Sequence, residues 1–475
     1  MRNSLLIRVA FALCMGAATL SCRVANPPGA DDQTADDSSD TSPIDSDNGN
    51  VNGNGNESDD ATAPGNDNSN GDGNDDGTAP GNDNSNGDGS GESPVEEDCG
   101  NDTGNGDEII SGPDVTEPPI DNDTVFRSLV VDPLDPNVVF CGSERNGFLK
   151  STDGAATWMR LRSGLRHSES PENYPEIWNV AFSPTDSDIL IAATTDSPGP
   201  VTGDGPSAMA GIYKTIDGGQ TWFRSNCGLS NSKIGFVQYS PTDGNIVLAA
   251  VQGEAASFTE FAGEFFDGGI YRSNDGGDHW SLAEMPPGAD KKNRYWIIRA
   301  RGNPTRYVTF GFNFEDSSLN AGFLESSNEG QTWIAFAPEL KSRTITHFDV
   351  SADGETFYAL EQDSFVFERS LDGGQTWEPL PHVSPSPQGP IAICPSDSQV
   401  VLFTSNADLR RTTDGMQTDR VVQTASAQFE WIAFAPSDPN IVYAATQGYD
   451  VYKSNDNGAT FEFTANLRDE INSSP

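Results

Sequence analysis

The sequence predicts an all-β fold, a seven-bladed β-propeller preceded by a long disordered acidic linker. Three observations carry the prediction. Of 43 aromatic residues, 42 lie between residues 121 and 475. A turn box of the form Ser/Thr-x-Asp-Gly-x-x-Thr-Trp recurs seven times, with small departures, in that same part. The part before it lacks the residues from which a core is made.

The chain has 475 residues, 27 of them Lys or Arg and 72 Asp or Glu, for a formal charge of −45. That balance excludes nucleic acid as an expected partner, because phosphate binding needs clustered cations. It equally argues against docking on an anionic membrane through protein charge. The composition divides the chain into three: residues 1–21 as a signal peptide, 22–118 as a disordered linker, and 119–475 as the propeller.

Residues 1–21 carry Arg2 and Arg8 ahead of an apolar run from Val9 to Leu20, then small residues. This is the pattern of a secretory signal, and it is shorter than the ~20 apolar residues of a membrane-spanning helix. The ending Thr19-Leu20-Ser21-Cys22 resembles the lipobox of bacterial lipoproteins, with Thr19 where the usual pattern has Leu. The resemblance implies that Cys22 becomes an acylated N-terminus, each buried CH₂ adding ~0.8 kcal/mol of membrane affinity. Arg23 follows. In such lipoproteins an Asp there tends to hold the protein at the inner membrane, so the resemblance implies outer-membrane sorting. The expected location is the bacterial cell envelope, as an outer-membrane or cell-surface lipoprotein, and otherwise secreted or periplasmic. The lipid anchor is the only expected membrane contact.

Residues 23–118 contain no Phe, Trp, Tyr, Leu, Met or Lys, and 25 acidic residues against one Arg. Such a segment cannot bury enough apolar surface to offset the entropy of ordering it. The stretch from Thr62 to Gly73 recurs unchanged from Thr78 to Gly89, as expected of a spacer tolerant of length. Asn66, Asn68, Asn70 and Gly71 mimic part of a calcium loop, but its twelfth position falls on Gly77 rather than Glu. The segment is read as a solvated polyanionic linker.

The propeller prediction rests on pairing. Each box follows two hydrophobic runs joined by a Pro-Asp-like turn, as in Val180-Ala-Phe-Ser-Pro184 to Ala193. Short runs of Val, Ile, Phe and Tyr broken by such turns read as strands. Seven pairs within residues 121–475 give about 51 residues per unit, the size of a four-stranded blade. In each box the Ser/Thr and Asp side chains are expected to bond turn amides. Gly supplies positive φ, and the Trp wedges between blades. The structural positions are Asp153 and Trp158, Asp217 and Trp222, Asp275 and Trp280, Asn328 and Trp333, Asp372 and Trp377, then Asp414 and Asp456, whose boxes lack the Trp.

These boxes resemble the Asp-box, or BNR, repeats of sialidases, sortilin-type receptors, xyloglucanase-type glycosidases and photosystem II stability/assembly-factor-like propellers. The resemblance spans residues 125–463. It implies the fold and leaves activity open. Val125-Phe126-Arg127-Ser128-Leu129 sits where sialidases show Phe/Tyr-Arg-Ile-Pro, but Ser128 and Leu129 replace Ile and Pro. Arg127 is therefore read as an inner-strand or rim residue. No zinc-type His pair, Cys-x-x-Cys, P-loop or Gly-x-Ser-x-Gly occurs, and no cofactor or metal is expected. The carboxylates of the propeller are too many for a catalytic pair to be picked out.

Loop length is more informative. Intervals between successive box positions fall from 64 through 58 and 53 to 44, 42 and 42. The extra residues lie between blades or between second and third strands, connections that share one face opposite the boxes. They are expected to form a wall over blades 1 to 4, with Trp178, Phe261, Phe266, Asp267, Arg294 and Trp296 as the candidate binding face. A second reading has Trp178, Trp296 and Phe265 starting strands or plugging the channel. Cys141 and Cys394 are read as buried strand residues, and Cys99 as a partner for Cys227. The expected function is a monomeric binding or assembly module for a protein or glycan; the alternative is a glycoside hydrolase, sialidase- or xyloglucanase-like, with carboxylates at the channel mouth.

Overall fold

The Pro-Asp-like turns and the boxes both become tight turns at one end of every blade. The computed structural model describes residues 125–469 apart from 145, 167, 170–171, 196–208, 256–263, 290, 303–304, 314–316 and 381–386. The signal, the linker, Cys22, Cys99 and Phe261 lie outside the described residues. Seven four-stranded antiparallel sheets follow one another. Blade 1 consists of Phe126–Val131, Val139–Ser143, Phe148–Ser151 and Met159–Leu161. The first strands of blades 2 to 7 are Glu176–Phe182, Ile234–Tyr239, Arg294–Arg301, Ile345–Val350, Ile391–Cys394 and Phe429–Phe434.

Each blade is a simple meander in sequence order, and the first strands of successive blades lie against one another round to blade 7 against blade 1. Among the described residues the ring closes without any strand being exchanged between the termini. Trp431 Nε1 donates to Phe126 O at 3.2 Å, and Tyr443 OH to Pro136 O at 2.9 Å, across that seam.

The box acts as a miniature cap. In blade 1, Asp153 Oδ1 accepts from the amides of Ala156 and Thr157 at 3.1 and 2.9 Å, while Oδ2 accepts the Thr157 hydroxyl at 2.6 Å. Ser151 Oγ donates to Asp153 and accepts from the Ala155 amide. Two successive residues are left-handed in every box, from Gly154 and Ala155 to Asn457 and Gly458. The amide of the first bonds back to the turn between strands one and two, as Gly218 N does to Asp188 O at 2.9 Å. The second lies so close to the preceding blade that a Cβ at Gly330 would stand 2.3 Å from Leu248.

The box tryptophans join neighbouring blades. Trp222 stacks on Phe148 of blade 1 at 4.0 Å, and Trp377 on Phe323 of blade 4 at 5.3 Å. Trp158, Trp280 and Trp333 are buried in clusters shared with the blade before. Where blade 6 lacks the Trp, Met416 is buried among Tyr358, Leu360 and Phe367 of blade 5. In blade 7 Phe461 packs on a cluster shared with blade 6.

A third device was not anticipated. A cation on each blade reaches the turns of the next. Lys150 Nζ donates to Gly218 O at 2.7 Å, Lys214 pairs with Asp278, Arg272 Nε donates to Glu329 O, Arg306 to Gly373 O, Arg369 to Gly415 O and Arg411 to Asn457 O. Lys453 completes the circle on Asn137 of blade 1. Six of the seven directly precede the box Ser or Thr; only blade 4 breaks the pattern, with Glu325 there and Arg306 supplied from its second strand.

Cys141 and Cys394 are buried free thiols. Cys227 is disulfide-bonded; its expected partner, Cys99, lies outside the described residues.

Candidate functional site at the channel mouth

In a meander blade the second-to-third and blade-to-blade connections emerge together, opposite the boxes. On that face the chain adds a ribbon pairing Glu254–Ala255 with Phe265–Phe266 in blade 3, and another pairing Ser168–Glu169 with Glu172–Asn173 ahead of blade 2.

The six candidate residues separate. Trp178 and Trp296 belong to blades 2 and 4, which flank blade 3, yet their rings stack at 5.0 Å, and Trp296 continues to Phe312 at 6.1 Å. Rings from non-adjacent blades meet only where the first strands converge, in the central channel. Trp296 is 8% exposed; it fills the channel and is not displayed to a ligand. Arg294 pairs with Glu254 at 2.8 Å, and Lys233 pairs with the same carboxylate. Against the upward push of burial, these two cations hold Glu254 below its ordinary range. Asp267 pairs with Lys291. Phe266 is half-buried, whereas its neighbour Phe265 is 42% exposed with Lys292 over its ring at 5.3 Å.

The chemistry-bearing group lies at the seam of blades 7, 1 and 2, and its carboxylates were not singled out from sequence. Arg127 of the blade 1 inner strand is its hub. Its guanidinium pairs with Glu144 at 3.3 Å and sits 5.1 Å over the Trp178 ring. Trp178 Nε1 donates to Glu176 Oε2 at 2.9 Å. Burial, then a hydrogen bond shared with Glu144, lifts the Glu176 carboxyl to about 7, against the pull of Arg127 and Trp178. Glu430 of blade 7 accepts from Gln447 Nε2 at 2.6 Å, and burial lifts it to about 7 against the same Arg127. Two carboxyl groups able to exchange protons near neutrality thus share one guanidinium. The signal that could have found them is positional: Arg127, Glu176 and Glu430 each lie within the first two residues of an inner strand.

Deeper in the propeller, Arg299 Nε donates to Asp349 at 2.9 Å, and Asp349 also accepts the Ile393 amide. Burial, then Arg299, brings His347 down to about 4, so its imidazole is neutral at physiological pH. Among the described residues no group of three or more His, Cys, Asp or Glu is placed to hold a metal ion.

No protein-family model matches the chain, and no curated protein matches it. Solved structures do. A GH74 xyloglucanase from Xanthomonas campestris is 17% identical with a TM-score of 0.53, over 72% of this chain and 54% of that one. An ancestral GH74 enzyme is 14% identical with the same TM-score, over 71% and 46%. YCF48 bound to a D1 peptide is 16% identical with a TM-score of 0.45, over 68% and 90%. The chain spans about half the length of the GH74 enzymes it matches. At these identities the similarity establishes the propeller architecture; function has to come from the site.

Proposed function

We propose that the chain is an exported, lipid-anchored binding module that captures a ligand, foremost a protein, on its long-loop face over blades 1 to 4. The observation that carries this reading is the blade 3 ribbon, where exposed Phe265 stands among Lys292, the Asp267–Lys291 pair and the Lys233–Glu254–Arg294 triad. An aromatic side chain inside a rim of charges is the composition of protein contact surfaces. The Phe265→Ala/Phe266→Ala variant is expected to keep its melting temperature and lose capture of envelope proteins by cross-linking from the intact cell surface. Undiminished capture would sink the reading. The anchor has its own test: Cys22→Ala should move the chain from the detergent phase to the aqueous phase in detergent partition.

A second reading, glycoside hydrolysis, is favoured by Glu176 and Glu430, both lifted to about 7. A carboxyl group protonated at neutral pH can serve as general acid to a leaving oxygen. A panel of aryl glycosides decides. Turnover lost in Glu176→Gln or Glu430→Gln would establish hydrolysis; no turnover across the panel removes it.

A further inference from the structure

We propose that the groove where blades 4 and 5 meet on the box face is a binding site for a neutral, hydroxyl-rich ligand, an oligosaccharide of at least two rings. The site lies opposite the mouth and does not depend on the reading given for the long-loop face.

The groove follows from the one break in the cation ring. At the other six junctions Lys or Arg directly before the box Ser or Thr spans to the next blade. Blade 4 has Glu325 there. The cation comes instead from Arg306, one strand further in, which lies over the rings of Phe336 and Phe357 at 4.8 and 5.2 Å. It donates to Glu325 Oε2 through Nε and to Gly373 O through Nη1. Two adjoining cavities open beside this pair, of 310 and 300 Å³, and Arg306 with Glu325 forms their common wall. Phe336, Glu355 and Gln375 line the first; Thr305, Ser327, Thr332 and Ile334 line the second. At ~30 Å³ per water, each holds the equivalent of about ten waters, room for one sugar ring.

Charge and hydrogen-bond capacity select the ligand. Glu325, Glu355 and Asp372 oppose one guanidinium, so an anion is repelled. A cation spanning both cavities would lie against Arg306 in the shared wall. Asp372 already accepts the Ser370 and Thr376 hydroxyls and the amides of Gln375 and Thr376. Glu325 retains Oε1, and Glu355 its whole carboxylate, as acceptors facing the groove. Acceptors beside a few hydroxyls and the exposed Ile334 side chain suit hydroxyl donors on a ring with an apolar face.

The test is calorimetric titration of the full chain with cellotetraose, maltotetraose and chitotetraose, with polygalacturonate and spermidine as charged counterparts. At least one neutral oligosaccharide is expected to bind. Glu355→Gln, at an exposed turn, should weaken it roughly tenfold, the loss of one charge-assisted hydrogen bond. Glu325→Lys restores the residue type of the other blades and should abolish binding with the fold retained by circular dichroism. Lys150→Met, at the corresponding junction of blades 1 and 2, should leave it unchanged. The proposal is overturned if no neutral oligosaccharide binds, if only the charged probes bind, or if Glu355→Gln leaves affinity untouched.

Discussion

On the box face, seven turns repeat one hydrogen-bond scheme; on the long-loop face, the connection between second and third strands runs from two residues in blade 6 to 17 in blade 3. The box turns satisfy their own amides with side chains three or four residues away, as Asp217 does for Thr221. Their stability is local, and it is copied. The mouth is assembled from strands about 50 to 300 residues apart, and its members are held by one another: Glu176 by Glu144 and Trp178, Glu430 by Gln447, and Glu144 by Arg127, whose charge also acts on the other two carboxyls. The difference teaches that the box face bears the ring's stability and the long-loop face carries its individuality. The groove between blades 4 and 5 is the place where the copied face itself departs.

The comparison is broken most severely by substituting the second left-handed box residue. Gly330→Ala puts a Cβ 2.3 Å from Leu248 in a residue at φ +77°. Strain and overpacking together should cost about 2–4 kcal/mol, read as a fall in the denaturation midpoint. Gly354→Ala, also at positive φ (+82°) but with its Cβ in ordinary contact at 3.8 Å from Gly302 Cα, should cost only the strain, about 1–2 kcal/mol. Equal losses in the two variants would refute the interblade contact as the cause.

Next in size is the pH response of the mouth. Unfolded, Glu176 and Glu430 lose their protons near 4.5; folded, they keep them to about 7. Between those values the native state binds more protons, so stability from this pair falls as pH rises and levels off above 7. His347 works in the opposite sense, its folded value of about 4 lying below the usual 6.5, so it adds stability as pH climbs between them. The Glu176→Gln/Glu430→Gln variant isolates the glutamates. It should gain about 2–3 kcal/mol on the parent between pH 5 and pH 8, after allowance for partial solvent screening. Parallel melting curves across that range would overturn the assignment.

Smaller still is the cation ring. Lys150→Met removes the bond to Gly218 O while keeping the stem, and should cost about 1 kcal/mol. No change on thermal melting would show the contact to be incidental. The smallest perturbation is analytical: peptide mapping without reductant should recover Cys227 joined to Cys99, with Cys141 and Cys394 alkylated only after denaturation. A Cys227 peptide found as a free thiol would overturn the pairing.

Much of the box face was legible in the sequence because local chemistry dictates it. A Ser, an Asp and a Thr at fixed offsets can close a turn wherever they stand, and seven recurrences announce seven blades. The cation ring was also written there, directly before six of the seven boxes, but a lone Lys or Arg on a strand reads as a solvated residue until its neighbour is placed. The long connections of the early blades were legible as length. Their use was not: Trp178 and Trp296 look alike as surface aromatics and as channel filling, and the stack between blades 2 and 4 distinguishes them.

The sequence by itself determined the repeat, the turn chemistry, the all-β class and the side on which the loops gather, since each depends on contacts within a few residues. Tertiary structure alone decided which carboxylates meet. Glu144, Glu176 and Glu430 acquire their shared environment only when blade 7 closes on blade 1 and Arg127 is enclosed between them. Ring closure buries Glu176 and Glu430, and burial is what moves their protons.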